Sequence, residues 1–308
     1  MKFALISILV ALFTLSCNID ETYTEAETTL TVFEYSPAPG QFIGDSKTVG
    51  FTGNERTAAD ALAYAQSRLE AGKLISLGGF GGYVVVGLGT ITNGEGADFA
   101  VRGNGTATSS EPGIVWVMRD DNGNGQPDDT WYELKGCKSG ADDTIQGYSV
   151  TYFRPTGEKE PVRWIDSRGV EGQIDYIESH HNQPSYFPAW ITTDSYTLTG
   201  TCIAAQNFYD EARGGWIQPP YEWGYVDNYT DKDWISTDRA VNTFDISKAV
   251  DTTGEPQVFD HIDFIKIQTA VNGKGGVTGE ISTEISGKIW RAGSLPDTRL
   301  MRLSPPRR

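Results

Sequence analysis

The chain has little cysteine, little basic charge and no long apolar run beyond its first residues. Lysine and arginine total 25 against 41 aspartates and glutamates, a formal charge of −16 over 308 residues. Such a balance excludes nucleic acid and anionic membrane surfaces as natural partners, because both repel an acidic protein. It suits a soluble extracytoplasmic protein that binds divalent cations. Three cysteines are present, at positions 17, 137 and 202. No zinc signature, phosphate loop or serine nucleophile elbow is visible. The glycine run Gly78-Gly79-Phe80-Gly81-Gly82 is not followed by Lys-Ser/Thr, and a strand pattern rather than a helix comes next. Internal repeats are also missing, which argues against a propeller or solenoid.

What is there begins with a leader. Lys2 supplies a positive start, and Phe3 to Leu15 is an apolar core too short for a good membrane span. Leu15-Ser16-Cys17 resembles a bacterial lipobox, which makes Cys17 the lipidated residue and 1–17 a lipoprotein signal peptide. An ordinary secretory leader with an incidental cysteine is the alternative. Residues 18–31 are polar and acidic enough to be a tether. Removing the leader takes away only Lys2, so the remaining chain is more acidic by one charge. Cys137 and Cys202 are left to pair or not; a bridge would contribute roughly 4 kcal/mol on the chain-entropy model.

One helix is predicted, from Thr57 to Ala71. Thr57 with Asp60 forms a capping box, the interior is rich in alanine, and Gly72 stands where a C-terminal glycine belongs. Leu62, Ala65 and Leu69 would be its buried stripe. Elsewhere the pattern is strand and turn: 32–35, 83–88, 97–101, 114–118, 131–134, 148–153, 196–198, 262–267 and 280–285. Many short strands with one helix imply a mainly β chain, an antiparallel β-sandwich of jelly-roll-like type, as a single domain over 32–290 with a tail at 291–308.

Between Ile114–Met118 and Trp131–Leu134 lies a loop dense in Asp, Asn and Gly. Counted from Asp120, oxygen-bearing side chains fall at alternate positions: Asp120, Asn122 and Asn124. Gly125 stands sixth, Gln126 offers a backbone carbonyl seventh, and Asp128 stands ninth. This is most of an EF-hand-type calcium loop, in which a hard cation gathers six to eight oxygens. The twelfth position is Trp131, so Asp129 or Glu133 would have to close the site. An ordinary Asx-Gly turn is the competing reading.

Residues 186–234 are unusually aromatic, and Gln206 to Arg239 reads as one long loop. Long loops in compact domains often carry function. Tyr186, Trp190, Trp216, Tyr221, Trp223, Tyr225 and Trp234 are the candidate ligand-binding rings, since flat faces bury much apolar area at low entropic cost. Rings that pin the loop to the core are the alternative for each. His181, beside His180, is a candidate metal-reaching imidazole or a plain polar-loop residue. Paired carboxylates among Asp98, Glu111, Asp227, Asp263, Glu280 and Glu284 leave a glycoside hydrolase open, although no spacing singles out a pair.

Several strings also resemble one family: PAPGQFIGD (37–45), LGGFGGYVVVGLG (77–89), GADFAVRGN (96–104), SSEPGIVWVMRDDNGNGQPDDTWYEL (109–134), EWGYVDN (222–228), IDFIKIQT (262–269) and GEISTEI (279–285). In order and spacing the chain resembles bacterial "cell surface protein" lipoproteins, some joined to a PKD domain and often linked to outer-membrane cobalamin uptake systems. That resemblance implies a non-enzymatic, lipid-anchored protein of the outer membrane that faces the exterior. It would bind cobalamin or another corrinoid for a TonB-dependent transporter. A glycan is the second ligand class. Calcium is the only cofactor expected.

Overall fold

The computed structural model describes residues 30–235, 238–276 and 279–292. The leader, Cys17, nearly all of the tether and most of the C-terminal tail lie outside the described residues.

The chain is mainly β, and among the described residues every sheet is antiparallel. The largest sheet has six strands, in the order β1 (Thr31–Ser36), β3 (Tyr83–Thr92), β16 (His261–Thr269), β5 (Gly113–Met118), β6 (Tyr132–Leu134) and β15 (Ala249–Val250). A four-stranded sheet runs β10 (Ser195–Cys202), β7 (Ile145–Phe153), β8 (Val162–Asp166), β9 (Glu171–Ile174). Another runs β13 (Trp234–Ile235), β14 (Asp238–Phe244), β4 (Phe99–Arg102), β18 (Ile289–Arg291). Two strand pairs complete the set: β2 (Leu74–Ser76) with β17 (Glu284–Ser286), and β11 (Phe208–Asp210) with β12 (Gly215–Ile217).

The layers follow from strand periodicity. In β5, Val115 and Val117 point into the main core, whereas Ile114 and Trp116 serve a separate cluster on the other face. In β16 a bulge between Ile262 and Phe264 resets the alternation, so Ile262 and Ile265 both reach the main core. Phe99 and Val101 of β4, Phe244 of β14 and Ile285 of β17 close that core from the opposite side. The arrangement is therefore sandwich-like, with the six-stranded sheet and the β4-containing sheet sharing one apolar layer. The β10–β7–β8–β9 sheet has its own cluster, built on Tyr148, Val150, Tyr152, Phe80 and Tyr186.

The predicted helix forms as α1 (Ala58–Glu70), with both halves of the Thr57–Asp60 capping box made. Its buried face is Ala61, Tyr64, Ala65 and Leu69, and Leu62 sits at the edge of the core. Gln66 ties the helix to the sheet edge: its Oε1 accepts from Val32 N at 2.7 Å, and its Nε2 donates to Leu30 O at 2.9 Å. No helix among the described residues is long and apolar enough to cross a membrane.

The stretch read as one loop, 206–239, is not loop throughout. It contains β11, β12 and β13 and leads into β14. These strands are two to seven residues long, too short for their alternation to stand out against the surrounding aromatics. The expected strand at 280–285 is broken: Glu280 makes a single bridge to Lys274, and Glu284–Ser286 pairs with β2.

Candidate functional site

The aromatic segment divides into rings that hold the fold and rings that face open space. Tyr186 is fully buried, and its hydroxyl donates to His181 O at 2.8 Å. Trp190 lies in the main core beside Phe51. Tyr221 and Tyr225 pack in the cluster under β5. The Tyr221 hydroxyl donates to Ala204 O at 2.6 Å, and the Tyr225 hydroxyl accepts from Lys138 N at 3.1 Å. These four rings pin their segment to the body of the protein. Trp234 is half-buried under the Arg239 guanidinium, 5.0 Å from its centroid. His181 Nδ1 lies 2.8 Å from Asp45 Oδ2, and its ring meets Phe42 edge-on.

Trp223 lines a cleft at the surface. The cleft has a volume of about 400 Å³, inside the range typical of small-molecule pockets. Leu134, Phe244 and Trp223 form its apolar surfaces. Lys135, Lys232 and Lys248 stand around it with Asp233 and Asp245. Lys248 Nζ sits 5.8 Å from the centre of the Trp223 ring and 3.6 Å from Asp245 Oδ2.

The cleft is assembled from segments distant in sequence. The end of β6 is held to the 3₁₀ turn Ile246–Lys248 by Lys135 N donating to Lys248 O. Trp223 O accepts from Cys137 N at 3.0 Å. Gly224 then crosses Gly136 so closely that an added Cβ would stand 2.3 Å from Gly136 Cα. Only glycine permits that crossing, and Gly224 has the matching positive φ of 92°. Asp233 Oδ2 accepts from Gly224 N at 2.5 Å, which ties the far wall to the Trp223 turn. The other oxygen, Oδ1, is buried without a donor. Burial raises the Asp233 carboxyl to about 7. The cleft thus offers one stacking face, three lysines on its walls, one of them paired with Asp245, and one buried acceptor short of a donor.

The Asp120–Asp128 loop joins β5 to β6 and curls on itself. Asp120 Oδ1 accepts from Asn124 N at 3.1 Å, and Oδ2 from Gly125 N at 2.8 Å. Asn122 and Asn124 each donate a side-chain amide to Asp128, both at 3.0 Å, and hold its carboxyl below the usual range. Gln126 N donates to Asn124 Oδ1. Gly123 and Gly125 take positive φ values of 71° and 72°. Of the two residues considered for closing the loop, Asp129 stays within it, accepting from Asp121 N at 3.0 Å. Glu133 is engaged elsewhere, its Oε2 accepting from Thr201 Oγ1. Trp131 at the twelfth position packs instead beside Lys266.

A further acidic group was not singled out by spacing. Glu111, Asp227 and Glu284 each place a carboxylate oxygen within 4.8 Å of the others. Asp227 and Glu284 are buried and Glu111 is half-buried. Asp227 accepts from Asn104 N at 2.7 Å and from Glu284 N at 2.9 Å, and Ser282 N donates to Glu111 Oε1. Three charges this close in a buried place repel one another, so burial and proximity together push the group upward. Asp227 is raised to about 7, and Glu111 and Glu284 lie well above the ordinary carboxylate range.

Cys137 and Cys202 are both free thiols, and burial pushes Cys202 up to about 11. On the β11–β12 hairpin, Phe208, Tyr209 and Trp216 are exposed, with Tyr209 and Trp216 paired across the strands edge to face at 6.1 Å. No family model and no curated protein matches this chain.

Proposed function

We propose that the chain is a non-enzymatic, lipid-anchored surface protein that captures a small ligand in the Trp223 cleft, with calcium bracing the Asp120–Asp128 loop. The observation that carries this reading is the cleft itself: about 400 Å³, one indole wall, three lysines and a buried Asp233 oxygen lacking a donor. Cobalamin is the leading ligand, on the family resemblance. The chemistry is compatible, because a corrinoid offers an apolar ring face, carboxamide donors for Asp233 and a phosphodiester for the lysines. A cleft of this volume would grip one part of so large a molecule and leave the rest for a TonB-dependent transporter to take. In the resembled family such a protein would sit on the outer membrane facing the exterior.

A binder is favoured over a hydrolase because the clustered carboxylates are buried or half-buried and already engaged: Asp227 accepts from Asn104 N and Glu284 N, Glu111 from Ser282 N, and Glu284 Oε1 from the Ser282 hydroxyl. A glycan is the second ligand reading. It is supported by the exposed Tyr209–Trp216 pair, whose edge-to-face rings leave aromatic surface open to a sugar ring.

The test is co-elution with cyanocobalamin. Coloured protein after gel filtration is expected, and Trp223→Ala should weaken binding by about tenfold to thirtyfold, the effect of truncating an aromatic anchor. Colourless protein rules out the corrinoid. A glycan array then decides the second reading, with Trp216→Ala as its control.

A further inference from the structure

A second, smaller cavity lies away from the Trp223 cleft. It has a volume of about 120 Å³ and sits where β7, β8 and β9 meet the Gly79–Phe80 turn, the residues Asn272 to Lys274, and Glu280. Its aromatic walls are Phe80, Tyr152 and Trp164. Trp164 is held flat across its strand partner Gly172, where an added Cβ would stand 2.2 Å from the indole.

Glu280 lines this cavity and is only 4% exposed. One carboxylate oxygen, Oε1, accepts from Gln41 N at 2.7 Å. The other, Oε2, is buried and has no donor. The remaining polar groups on the walls are committed elsewhere. Lys274 Nζ is 2.6 Å from Asp175 Oδ2, and Gln173 Nε2 donates to Asp175 Oδ1 at 2.6 Å. The Tyr152 hydroxyl donates to Phe80 O, and Asn272 Nδ2 donates to the Tyr148 hydroxyl. A buried acceptor without a donor is costly, and the three aromatic rings lining the same cavity favour positive charge there.

We infer that this cavity is a binding site for a small primary ammonium, with Glu280 Oε2 accepting its N–H and Phe80, Tyr152 and Trp164 surrounding its cation. The lysine on the wall does not oppose this, since Asp175 neutralises it at contact distance. The volume admits a two- or three-carbon amine and excludes a bulky one. Burial raises the Glu280 carboxyl to about 7, with Asp175 adding to the rise. Glu280 in turn adds to the rise of Glu111 and Glu284. Near neutral pH the arriving cation therefore displaces a proton.

The experiment is a pH titration of the full chain followed by the Glu280 side-chain carboxyl carbon resonance, with and without ethylammonium chloride. Ethanol serves as the uncharged probe and tetramethylammonium chloride as the cation without an N–H. Ethylammonium should lower the Glu280 midpoint by about one unit or more, the effect of an opposite charge at contact. Ethanol and tetramethylammonium should leave it in place. Calorimetry with ethylammonium should show binding that falls at least about tenfold in Glu280→Gln, the loss of a charge-assisted hydrogen bond, and falls several-fold in Trp164→Leu. An unmoved midpoint, an equal response to ethanol, or unchanged affinity in folded Glu280→Gln overturns the assignment. The titration uses unmodified protein, so it decides the matter even where a variant fails to fold.

Discussion

Gly103 faces a crowded spot beside Asp227. An added Cβ there would stand 2.5 Å from Asp227 Oδ1 and 2.6 Å from its Cα. Asp227 cannot retreat. It is itself in the left-handed region at φ 58°, it takes backbone donors from Asn104 and Glu284, and its carbonyl accepts from Glu111 N. Aspartate tolerates that φ better than most side chains, and its carboxylate is used at both ends. Gly103→Ala should therefore cost about 2–3 kcal/mol, the upper range of overpacking, as measured by urea unfolding. A loss under half a kcal/mol would mean that the 103–105 turn can shift away. The glycine run at 78–82 has a similar explanation. Gly82 passes so close to Leu77 O and Ala38 N that a methyl would overlap both. Its glycines serve close chain crossings, in agreement with the sequence signs against a phosphate loop.

At the scale of elements, the β5–β6 connection was the most legible feature of the chain. Alternating oxygen-bearing side chains and glycines act over a few residues, so the curl of Asp120–Asp128 follows from local chemistry. The same nearness explains why the capping box of α1 was readable. The loop's oxygens now accept from its own amides, and calcium would have to replace those bonds with coordination. Calcium at millimolar concentration should raise the melting temperature by several degrees, EGTA should reverse it, and Asp120→Ala should abolish the response. Identical melting curves with calcium and EGTA would leave the Asx-turn reading in possession of the loop. The strands of 206–244 were not legible, because β11, β12 and β13 are only two or three residues long and β14 is held by β4, more than a hundred residues earlier.

Across the whole molecule, the buried carboxylates set the pH response. Glu111 and Glu284 are raised well above the usual range, and Asp227, Asp233 and Glu280 are raised to about 7. In the unfolded chain these groups lose their protons near pH 4. Between about pH 4 and 7 the folded state therefore holds more protons than the unfolded state, and stability falls as pH rises through that window. Below pH 4 the opposite set matters. Asp45, Glu55, Asp166 and Asp175, held low by hydrogen bonds and neighbouring cations, lose their contribution as they are protonated. The melting temperature should peak near pH 4–5 and decline toward pH 8, with a shallower decline in Glu284→Gln. A melting temperature that climbs steadily from pH 5 to 8 would contradict the buried, protonated group.

The cluster of Glu111, Asp227 and Glu284 also marks the boundary of what residue order can reveal. All three were among the candidate acids, but nothing in their spacing joined them. Their meeting depends on bridges such as Gly113 with Val226 and on the pairing of β17 with β2. The same holds for Trp223, which differs from its pinned neighbours Tyr221 and Tyr225 only in what the rest of the chain brings beside it. The longer strands, the helix and its caps, the turn chemistry and the mainly β class come from forces between residues a few positions apart, and those are written into their order. Which rings are buried, which acids meet and where a cleft stays open come from contacts between distant segments, and those are settled only when the sheets close on one another.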